Sequence, residues 1–133
     1  MLKIIELPKI IDRRGNLSFF ESSNHIPFEI KRTYWIYDVP GGETRGGHAY
    51  KELQEIVIAL SGSFDVHVES RNGVEVFQLN RSYNALYLPP GTWRSLQNFS
   101  TNAVCLVAAS AAYDESDYIR DYQQFKSFIQ HGK

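Results

Sequence analysis

The sequence predicts an all-β fold, a barrel or sandwich of short strands followed by one C-terminal helix. Three observations predict it. Apolar and polar residues alternate in several short segments, turn residues separate these segments at intervals of roughly 8–12 residues, and only the last part of the chain has helical periodicity. Strands at this spacing are typical of antiparallel sandwiches and barrels. No linker, repeat or low-complexity segment interrupts the chain, and we therefore expect one domain, 1–133.

The strand candidates occupy most of the chain. In order they are 28–39, 56–60, 64–69, 74–79, 85–88 and 103–108. In the third of them, Phe64, Val66 and Val68 alternate with polar residues, which places the three apolar side chains on one face of a strand. Asn72 and Gly73 follow it and are typical of a hairpin turn, because both residue types tolerate positive φ.

The C-terminal segment predicts a helix. Tyr118, Tyr122, Phe125 and Ile129 recur at steps of three and four residues, which is the spacing of one helix face. The acidic and cap-forming residues of 114–117 precede them and favour a helix N-terminus at that point. We therefore expect a short helix that packs its aromatic face on the barrel.

Composition and charge exclude several classes of function. The chain has 14 Lys and Arg against 15 Asp and Glu, and this balance argues against nonspecific binding to nucleic acid or a membrane surface, which needs a concentrated basic field. The single cysteine, Cys105, excludes an intrachain disulfide and a cysteine-rich zinc site. No apolar run approaches the roughly 20 residues of a membrane span, and Glu6 and Pro8 interrupt a signal-peptide core. We expect a cytoplasmic protein.

Two segments resemble the two sequence motifs of the cupin fold, and the first lies in the centre of the chain. Gly42, His48, Glu55 and Gly62 stand at the spacing of the first motif. Tyr50 stands where that motif has its second histidine.

The second motif follows at the expected distance. Pro89, Gly91 and Asn98 match it, whereas Arg94 stands at its histidine position and Tyr83 replaces its leading glycine. Two motifs in register predict a cupin, that is, a double-stranded β-helix or jelly-roll barrel. This agrees with the barrel that the strand spacing predicts independently.

The departures from the motifs predict a site without a metal. A metal-binding cupin takes two histidines and a glutamate from the first motif and one histidine from the second, and only His48 and Glu55 remain here. Arg94 cannot ligate a metal, because its guanidinium stays protonated and has no free acceptor. We expect neither a catalytic metal nor a cofactor. A metal held by His48, Tyr50 and Glu55 alone is the alternative.

A closer resemblance extends over nearly the whole chain. The sequence resembles the nucleotide-sugar 3,4-ketoisomerases, the FdtA/QdtA or WxcM-like family of cupins. The segments that carry this resemblance are 11–15, 26–28, 31–32, 45–49, 91–93 and 113–120. The last of them is not a general cupin feature and is therefore the more specific part of the match.

The resemblance implies an activity and an assembly. The family converts a dTDP-4-keto-6-deoxyhexose into its 3-keto isomer, which an aminotransferase then uses in the biosynthesis of amino-deoxysugars for surface polysaccharides, S-layers or antibiotics. It implies a dTDP-linked 4-keto-6-deoxy sugar as the ligand. It also implies a homodimer whose N-terminal strands are exchanged between the subunits.

An isomerisation of this kind needs a base at C3 and a proton donor at C4. His48 is the candidate base, because imidazole titrates near neutral pH. The family has a second histidine two residues later, on the same strand face, where this chain has Tyr50. A tyrosine hydroxyl both donates and accepts, but its reference pKa of about 10 makes it a poor base. Three outcomes stay open: Tyr50 relays a proton between oxygens while His48 serves both carbons, Tyr50 marks a different stereochemistry at C4, or only binding is retained.

Further residues are candidates for binding the substrate. Arg45 lies beside the motif glycines and is the candidate for the diphosphate, because a guanidinium grips oxygens with a fork of donors. Arg94 supports that contact or polarises the sugar carbonyl. The remaining candidates for the sugar, the thymine or the phosphates are Asp12, Arg14, Tyr37, Lys51 and Trp93.

Three other functions remain alternatives at this stage. A nucleotide-sugar epimerase would invert the carbons beside the ketone without moving the ketone. A non-catalytic dTDP-sugar-binding cupin would bind the same ligand without turnover. A metal-dependent, dioxygenase-type cupin would need the ligand set that Arg94 interrupts.

Overall fold

The computed structural model describes residues 1–131 as strands and turns, with one short 3₁₀ helix at Glu115–Asp117 and one α-helix at the end. The elements are, in chain order, β1 (Lys3–Glu6), β2 (Lys9–Ile10), β3 (Leu17–Ser18), β4 (Arg32–Ile36), β5 (Arg45–Tyr50), β6 (Glu55–Ser61), β7 (Phe64–Ser70), β8 (Gly73–Leu79), β9 (Asn84–Leu88), β10 (Trp93–Gln97), β11 (Val104–Ala109), β12 (Tyr118–Ile119) and α1 (Tyr122–His131).

The strands form two five-stranded sheets and a small separate hairpin. The first sheet has the order β1-β9-β6-β11-β4, the second has the order β12-β5-β10-β7-β8, and β2 pairs with β3. All of these pairings are antiparallel. The predicted all-β jelly-roll architecture with a short C-terminal helix is therefore confirmed.

The main core lies between the two sheets. Val57 and Val107 of the first sheet belong to one buried cluster with Val66 and Leu96 of the second. In β7 the buried residues alternate with half-buried ones, as the sequence pattern predicts for a strand with one core face. The two inner faces thus form one continuous core, and the cavity described below opens from it.

The first sheet is also covered on its outer face. Ile56 and Ile58 of β6 pack there in a second buried cluster with Leu7, Ile26 and Phe28 of the N-terminal segment. Because both faces are buried, β6 reads as a continuous apolar run rather than as an alternating one. The N-terminal segment is therefore part of the folded body.

Two elements have different limits from those that the sequence predicts. Within 28–39, only Arg32–Ile36 pairs with β11, and this pairing sets the limits of β4. Tyr118 does not belong to the helix: it pairs with Tyr50 in β12, so its assignment to the helical face is wrong. The helix begins only after Asp121, whose carboxylate accepts a hydrogen bond of 2.8 Å from the backbone N–H of Gln123.

Two broader expectations remain predictions. That 1–133 is a single domain is untested, and residues 132–133 lie outside the described part of the chain. Within residues 1–131, no helix has the length and apolar character to cross a membrane. The cytoplasmic location stays a prediction.

Candidate active site

A cavity of about 570 Å³ opens at one end of the barrel, between the two sheets. Most of its walls come from β4, β5, β6 and β10, and Tyr118 and Arg120 close one side. Its charged side chains and ring-bearing polar side chains are Arg32, Tyr34, Arg45, His48, Tyr50, Glu55, Arg94, Tyr118 and Arg120. With four arginines against one glutamate, the cavity suits an anionic ligand.

His48 and Tyr50 enter the cavity from the same face of β5. They are two residues apart, and alternate side chains of a strand point to the same side. Ala49 between them is fully buried on the opposite face, in a cluster with Ile119 and Phe125. The rings of His48 and Tyr50 meet edge to face with their centroids 5.0 Å apart. The strand therefore holds an imidazole and a phenol side by side.

A bulge in the pairing of β5 with β10 places Arg94 opposite His48. The register shifts between Arg94, which pairs with His48, and Ser95, which pairs with Gly46. Gly46 and Gly47 have φ values of +100° and +84°, a region in which glycine is favoured. A Cβ at Gly46 would lie only 3.1 Å from the Cα of Ser95. The glycines of the first motif thus shape the backbone beside the site.

Arg94 forms a buried ion pair with Glu55. Its Nη1 donates to Glu55 Oε1 at 2.5 Å, and the hydroxyl of Tyr34 donates to Glu55 Oε2 at 3.0 Å. The exposed fractions of Glu55 and Arg94 are 1% and 4%. The guanidinium also lies over the ring of Tyr50, with Cζ 5.1 Å from the ring centroid. A fixed positive charge therefore stands at the centre of the cavity wall.

Several buried polar atoms in the cavity have no partner in the described part of the chain. Within residues 1–131, the buried side-chain polar atoms without a hydrogen bond are Arg32 Nε, His48 Nε2, the Tyr50 hydroxyl and Arg94 Nη2. All four residues line the cavity. An unsatisfied buried polar group costs roughly 1–3 kcal/mol, and such groups are rare unless they serve a function. Their convergence indicates a site for a polar ligand.

The surroundings of His48 keep its ring neutral. Burial, together with the charges of Arg94 and Arg120, lowers the pKa of His48 to about 3. Burial also raises the pKa of Tyr50 and of Tyr34, and the charge of Glu55 adds to both effects. At neutral pH the site therefore combines a neutral imidazole with protonated phenols.

The residues of the cavity do not fit a metal. Both carboxylate oxygens of Glu55 are engaged, one by Arg94 and one by Tyr34. The guanidinium occupies the position at which a cupin would present its fourth ligand, and its charge opposes a cation. In the part of the chain that the structure describes, no three histidine, cysteine, aspartate or glutamate side chains are grouped as metal ligands.

The structure brings together four of the site residues that the sequence predicts. Arg45, His48, Tyr50 and Arg94 all line the cavity. Lys51, directly after β5, is exposed and does not line it. Asp12 and Arg14 lie in the turn between β2 and β3 and pair with each other, with Arg14 Nη2 2.6 Å from Asp12 Oδ2. Within one chain these last three residues stay outside the cavity.

The two aromatic candidates also lie elsewhere in the single chain. Tyr37 follows β4, is 60% exposed and lines a separate shallow depression with Trp35. Trp93 precedes Arg94 in β10, so its side chain points to the opposite face. There it packs against Tyr122 and Phe125. Their predicted contacts with the substrate remain predictions.

Four charged or aromatic residues of the cavity lie outside both cupin motifs and are absent from the sequence-based set of site residues. Arg32 and Tyr34 stand at alternate positions of β4, and Tyr118 and Arg120 stand at alternate positions of the tail. The Tyr118 ring centroid lies 4.6 Å from that of Tyr50, and Arg120 Cζ lies 4.0 Å above the Tyr118 ring. The two-residue spacing of Tyr118 and Arg120 is typical of a strand and places both side chains on one face. The helical spacing of Tyr118 to Tyr122 favours a helix instead, so the strand is missed.

Comparison with known proteins identifies close relatives. The chain is 42% identical over 127 residues to the TDP-4-oxo-6-deoxy-alpha-D-glucose-3,4-oxoisomerase of Aneurinibacillus thermoaerophilus, covering 96% of this chain and 91% of the relative. The crystal structure of QdtA, a sugar 3,4-ketoisomerase from Thermoanaerobacterium thermosaccharolyticum in complex with TDP, matches with a TM-score of 0.94 and 36% identity, covering 97% of this chain and 94% of QdtA.

A third relative comes from Campylobacter jejuni. The WlaRB TDP-quinovose 3,4-ketoisomerase matches with a TM-score of 0.89 and 42% identity, covering 93% of this chain and 95% of the relative. By contrast, the dTDP-4-dehydrorhamnose 3,5-epimerase of Bacillus anthracis is 13% identical with a TM-score of 0.76, which is a similarity of fold alone. The three relatives named here with 36% identity or more are ketoisomerases or oxoisomerases.

The family model agrees with these relatives and with the geometry of the cavity. The model described as FdtA, WxcM-like, C-terminal matches residues 1–130, which is almost the whole chain. The resemblance found in the sequence is thus confirmed, and the protein belongs to the FdtA, WxcM-like C-terminal family.

Proposed function

We propose that this protein is a TDP-sugar 3,4-ketoisomerase that moves the ketone of a TDP-4-keto-6-deoxyhexose from C4 to C3. The observation that carries the proposal is the buried, unpartnered Nε2 of His48 beside the Arg94 guanidinium in an arginine-lined cavity. The relatives named above support the substrate class, and a mutant of QdtA is known in complex with TDP-4-keto-6-deoxyglucose.

The cavity has the size and charge for such a ligand. A volume of about 570 Å³ falls within the range of small-molecule sites, roughly 300–1,000 Å³. Arg45 supplies positive charge for the diphosphate, and Arg32 adds a second guanidinium with a free Nε. Arg120 lines the same cavity, but its Nε and Nη2 donate to the two carboxylate oxygens of Glu115. His48, Tyr50 and Arg94 are then left for the keto sugar.

The reaction begins at C3. Neutral His48 removes the C3 proton, which the neighbouring carbonyl acidifies. The electron pair of the broken C–H bond forms a C3–C4 double bond, and the carbonyl electron pair moves onto O4. Arg94 stabilises the resulting negative charge on O4 as a preorganised donor. The intermediate is an enediolate that retains the O3 proton.

In the second half of the reaction, the proton is delivered to C4. Protonated His48 delivers its proton to C4, using the electron pair of the C3–C4 double bond, while O3 loses its proton and becomes the C3 carbonyl. Tyr50 gives its hydroxyl proton to O4 and receives the proton of O3, because a phenol both donates and accepts. The net change is one proton moved from C3 to C4 and one moved from O3 to O4.

The proposal is tested with the substrate in deuterated water. We expect the protein to convert TDP-4-keto-6-deoxyglucose into the 3-keto isomer, with solvent deuterium at the reacting carbons detected by NMR. His48→Asn should abolish both exchange at C3 and product formation. His67→Asn, on β7 and outside the cavity, should leave both unchanged. Absence of the 3-keto product with substrate-level wild-type protein would refute the activity, and inversion at a carbon without movement of the ketone would indicate an epimerase.

A homodimer with exchanged N-terminal strands is part of the same proposal. The β2–β3 hairpin and the turn between its strands expose large apolar side chains. These are Ile10, Ile11 and Leu17, with exposed fractions of 55%, 72% and 53%. Covering them with a second subunit would bury apolar surface. It would also bring Asp12 and Arg14 to the sugar in the partner's cavity, as the resemblance implies.

The product defines the next reaction. A 3-keto sugar presents a carbonyl that a transaminating enzyme can convert into an amine. We therefore place this protein before an aminotransferase in amino-deoxysugar biosynthesis. An assay coupled to a sugar 3-aminotransferase should yield a 3-amino sugar only when this protein is present.

A further inference from the structure

We propose, resting on the isomerase function above, that Glu55 and Tyr34 are positioning residues that hold Arg94 in place for the enediolate. Neither residue is needed to take or give a proton in the scheme above. Their place in the reaction is to fix the one cation whose free donor meets the charge that forms on O4.

The contacts form a chain that ends in the cavity. The Tyr34 hydroxyl donates to Glu55 Oε2 at 3.0 Å, and Glu55 Oε1 accepts from Arg94 Nη1 at 2.5 Å. Arg94 Nε makes a long contact of 3.4 Å with the carbonyl of Thr92. Only Nη2 of Arg94 is left without a partner, and it is buried. Two of the three guanidinium nitrogens thus have a partner, and the third is free for a ligand.

Stability alone is a weak reason for this arrangement. A buried ion pair costs desolvation energy that its mutual attraction rarely exceeds, and well-packed apolar residues often replace such a pair without loss. Glu55 and Arg94 are nevertheless almost completely buried. A preorganised cation in a dry site is, however, what an oxyanion-forming reaction requires, since no reorganisation is needed as the charge develops.

Tyr34 fixes the carboxylate itself. A carboxylate bonded through one oxygen only can rotate and carry its partner with it, whereas Glu55 is held through both oxygens. Burial raises the pKa of Tyr34, which keeps the hydroxyl protonated as a donor. Tyr34 has no hydrogen bond to Arg94 among the contacts of the described chain and reaches it through Glu55. An energetic coupling between Tyr34 and Arg94 therefore reports on Glu55.

The test is a double-mutant cycle on kcat and KM with TDP-4-keto-6-deoxyglucose. It compares wild type, Tyr34→Phe, Arg94→Gln and the double variant. We expect Arg94→Gln to lower kcat by about 10²–10³, the usual effect of losing an oxyanion donor. We expect Tyr34→Phe to lower kcat by about tenfold with KM within about twofold, because it disturbs a contact made in the transition state. In the Arg94→Gln background, Tyr34→Phe should change kcat by less than about twofold.

Tyr87→Phe is the matched control. Its hydroxyl also makes one hydrogen bond, of 2.6 Å, to a side chain, that of Gln54, and it does not line the cavity. Both tyrosine variants should lower the unfolding temperature, but only Tyr34→Phe should lower kcat. A merely structural Tyr34 would behave like Tyr87, and that result would overturn the proposal.

Glu55→Gln extends the cycle to the carboxylate. Alone it leaves the Arg94 charge unpaired in a buried site and is expected to weaken folding. Combined with Arg94→Gln it leaves a neutral pair, and kcat should then equal that of Arg94→Gln alone. Arg94→Gln alone leaves the Glu55 charge unpaired in the same way. If either single variant does not fold, the comparison is made in the neutral Glu55→Gln/Arg94→Gln background, in which adding Tyr34→Phe should change kcat by less than about twofold.

Two outcomes separate the failure of this inference from that of the function. If wild type turns over the substrate and the Tyr34 and Arg94 effects multiply, Tyr34 acts on the substrate directly and only the positioning role is wrong. If wild type binds TDP but shows no turnover, the proposed function fails, and the positioning role fails with it.

Discussion

Tyr50 is the residue that distinguishes this site from a pair of histidines. Its hydroxyl is buried and unpartnered, and its ring lies against His48 and beneath Arg94. A second imidazole could take up a proton at neutral pH, whereas burial raises the pKa of Tyr50 and keeps its hydroxyl protonated. The residue is therefore suited to passing a proton between oxygens rather than to removing one from carbon.

Tyr50→Phe tests this division of labour. We expect isomerisation to fall by about 100-fold, the usual scale for losing one proton-transfer group, while deuterium exchange at C3 stays within about tenfold because His48 is intact. NMR follows both in one sample. Tyr83→Phe, outside the cavity, is the control. Unchanged isomerisation would restrict Tyr50 to filling space, and loss of exchange as well would assign it to the C3 step.

The pH dependence of kcat/KM tests the state of His48. A base must be neutral, and burial with the charges of Arg94 and Arg120 lowers the pKa of His48 to about 3. Lowering the pKa moves the acid limit of activity downward. We therefore expect no decline from His48 protonation between about pH 8 and pH 5, the range in which an ordinary histidine titrates. A decline centred near the usual histidine pKa would show that the ring titrates normally. Circular dichroism at each pH controls for unfolding.

The sequence predicts a residue of the site only where a motif fixes its position relative to the glycines and prolines of that motif. His48, Tyr50, Arg45 and Arg94 are found by their spacing from glycines and prolines, and all four line the cavity. Arg32 reaches the same cavity only because β4 pairs with β11 across the sheet. Such a meeting of distant segments depends on strand order, which period-two alternation does not encode.

At the scale of elements, the β5–β10 pairing governs the site. Gly46 and Gly47 are both left-handed, but only at Gly46 would a Cβ approach the facing strand, 3.1 Å from Ser95 Cα and 3.2 Å from the carbonyl of Arg94. At Gly47 nothing lies within 4 Å. Comparing substitutions at the two glycines therefore distinguishes the effect of backbone strain from that of a steric contact with β10.

Gly46→Ala and Gly47→Ala form a matched pair. Both replacements strain the backbone, and Gly46→Ala also forces β5 from β10. We expect it to reduce the free energy of unfolding by about 1–3 kcal/mol more than Gly47→Ala, on the scale of overpacking, and to lower kcat by displacing Arg94 from His48. Urea denaturation and the isomerase assay measure the two effects. Equal effects of the two replacements would show that the contact with β10 affects neither the free energy of unfolding nor kcat.

Sequence patterns find some elements better than others. β6, β7, β8, β9 and β11 lie within one residue of the predicted limits, because burial produces clear apolar runs or alternation in them. The short strands β1, β2, β3 and β12 escape prediction because two to four residues cannot show a period. The sequence places Tyr118 on the helix because its spacing to Tyr122 fits a helical step, whereas its strand partner Tyr50 is far away in sequence.

At the scale of the whole molecule, the proposed exchange of N-terminal strands would make each site depend on two chains. Arg14 is 85% exposed in its side chain, and within residues 1–131 it pairs only with Asp12. If Arg14 acts in the partner's cavity, a subunit without His48 can still supply Arg14, and a subunit without Arg14 can still supply His48.

Complementation tests this arrangement. We expect the His48→Asn and Arg14→Ala homodimers to be weakly active or inactive, and their co-expression to restore about a quarter of wild-type activity, because half of the dimers are mixed and each mixed dimer has one intact site. Arg13→Ala, in the same turn, is the control and should stay active by itself. No restoration on mixing would place Arg14 in its own subunit's site, and a monomer in sedimentation would refute the dimer.

The buried Arg94–Glu55 pair has a consequence for engineering heat resistance. Apolar residues of similar volume at these two positions should raise the melting temperature, because the desolvation cost of both charges disappears. Selection for thermal endurance alone would therefore favour variants that have lost the chemistry. A durable version of this protein must be sought by changing its surface, with the charged centre of the barrel left untouched.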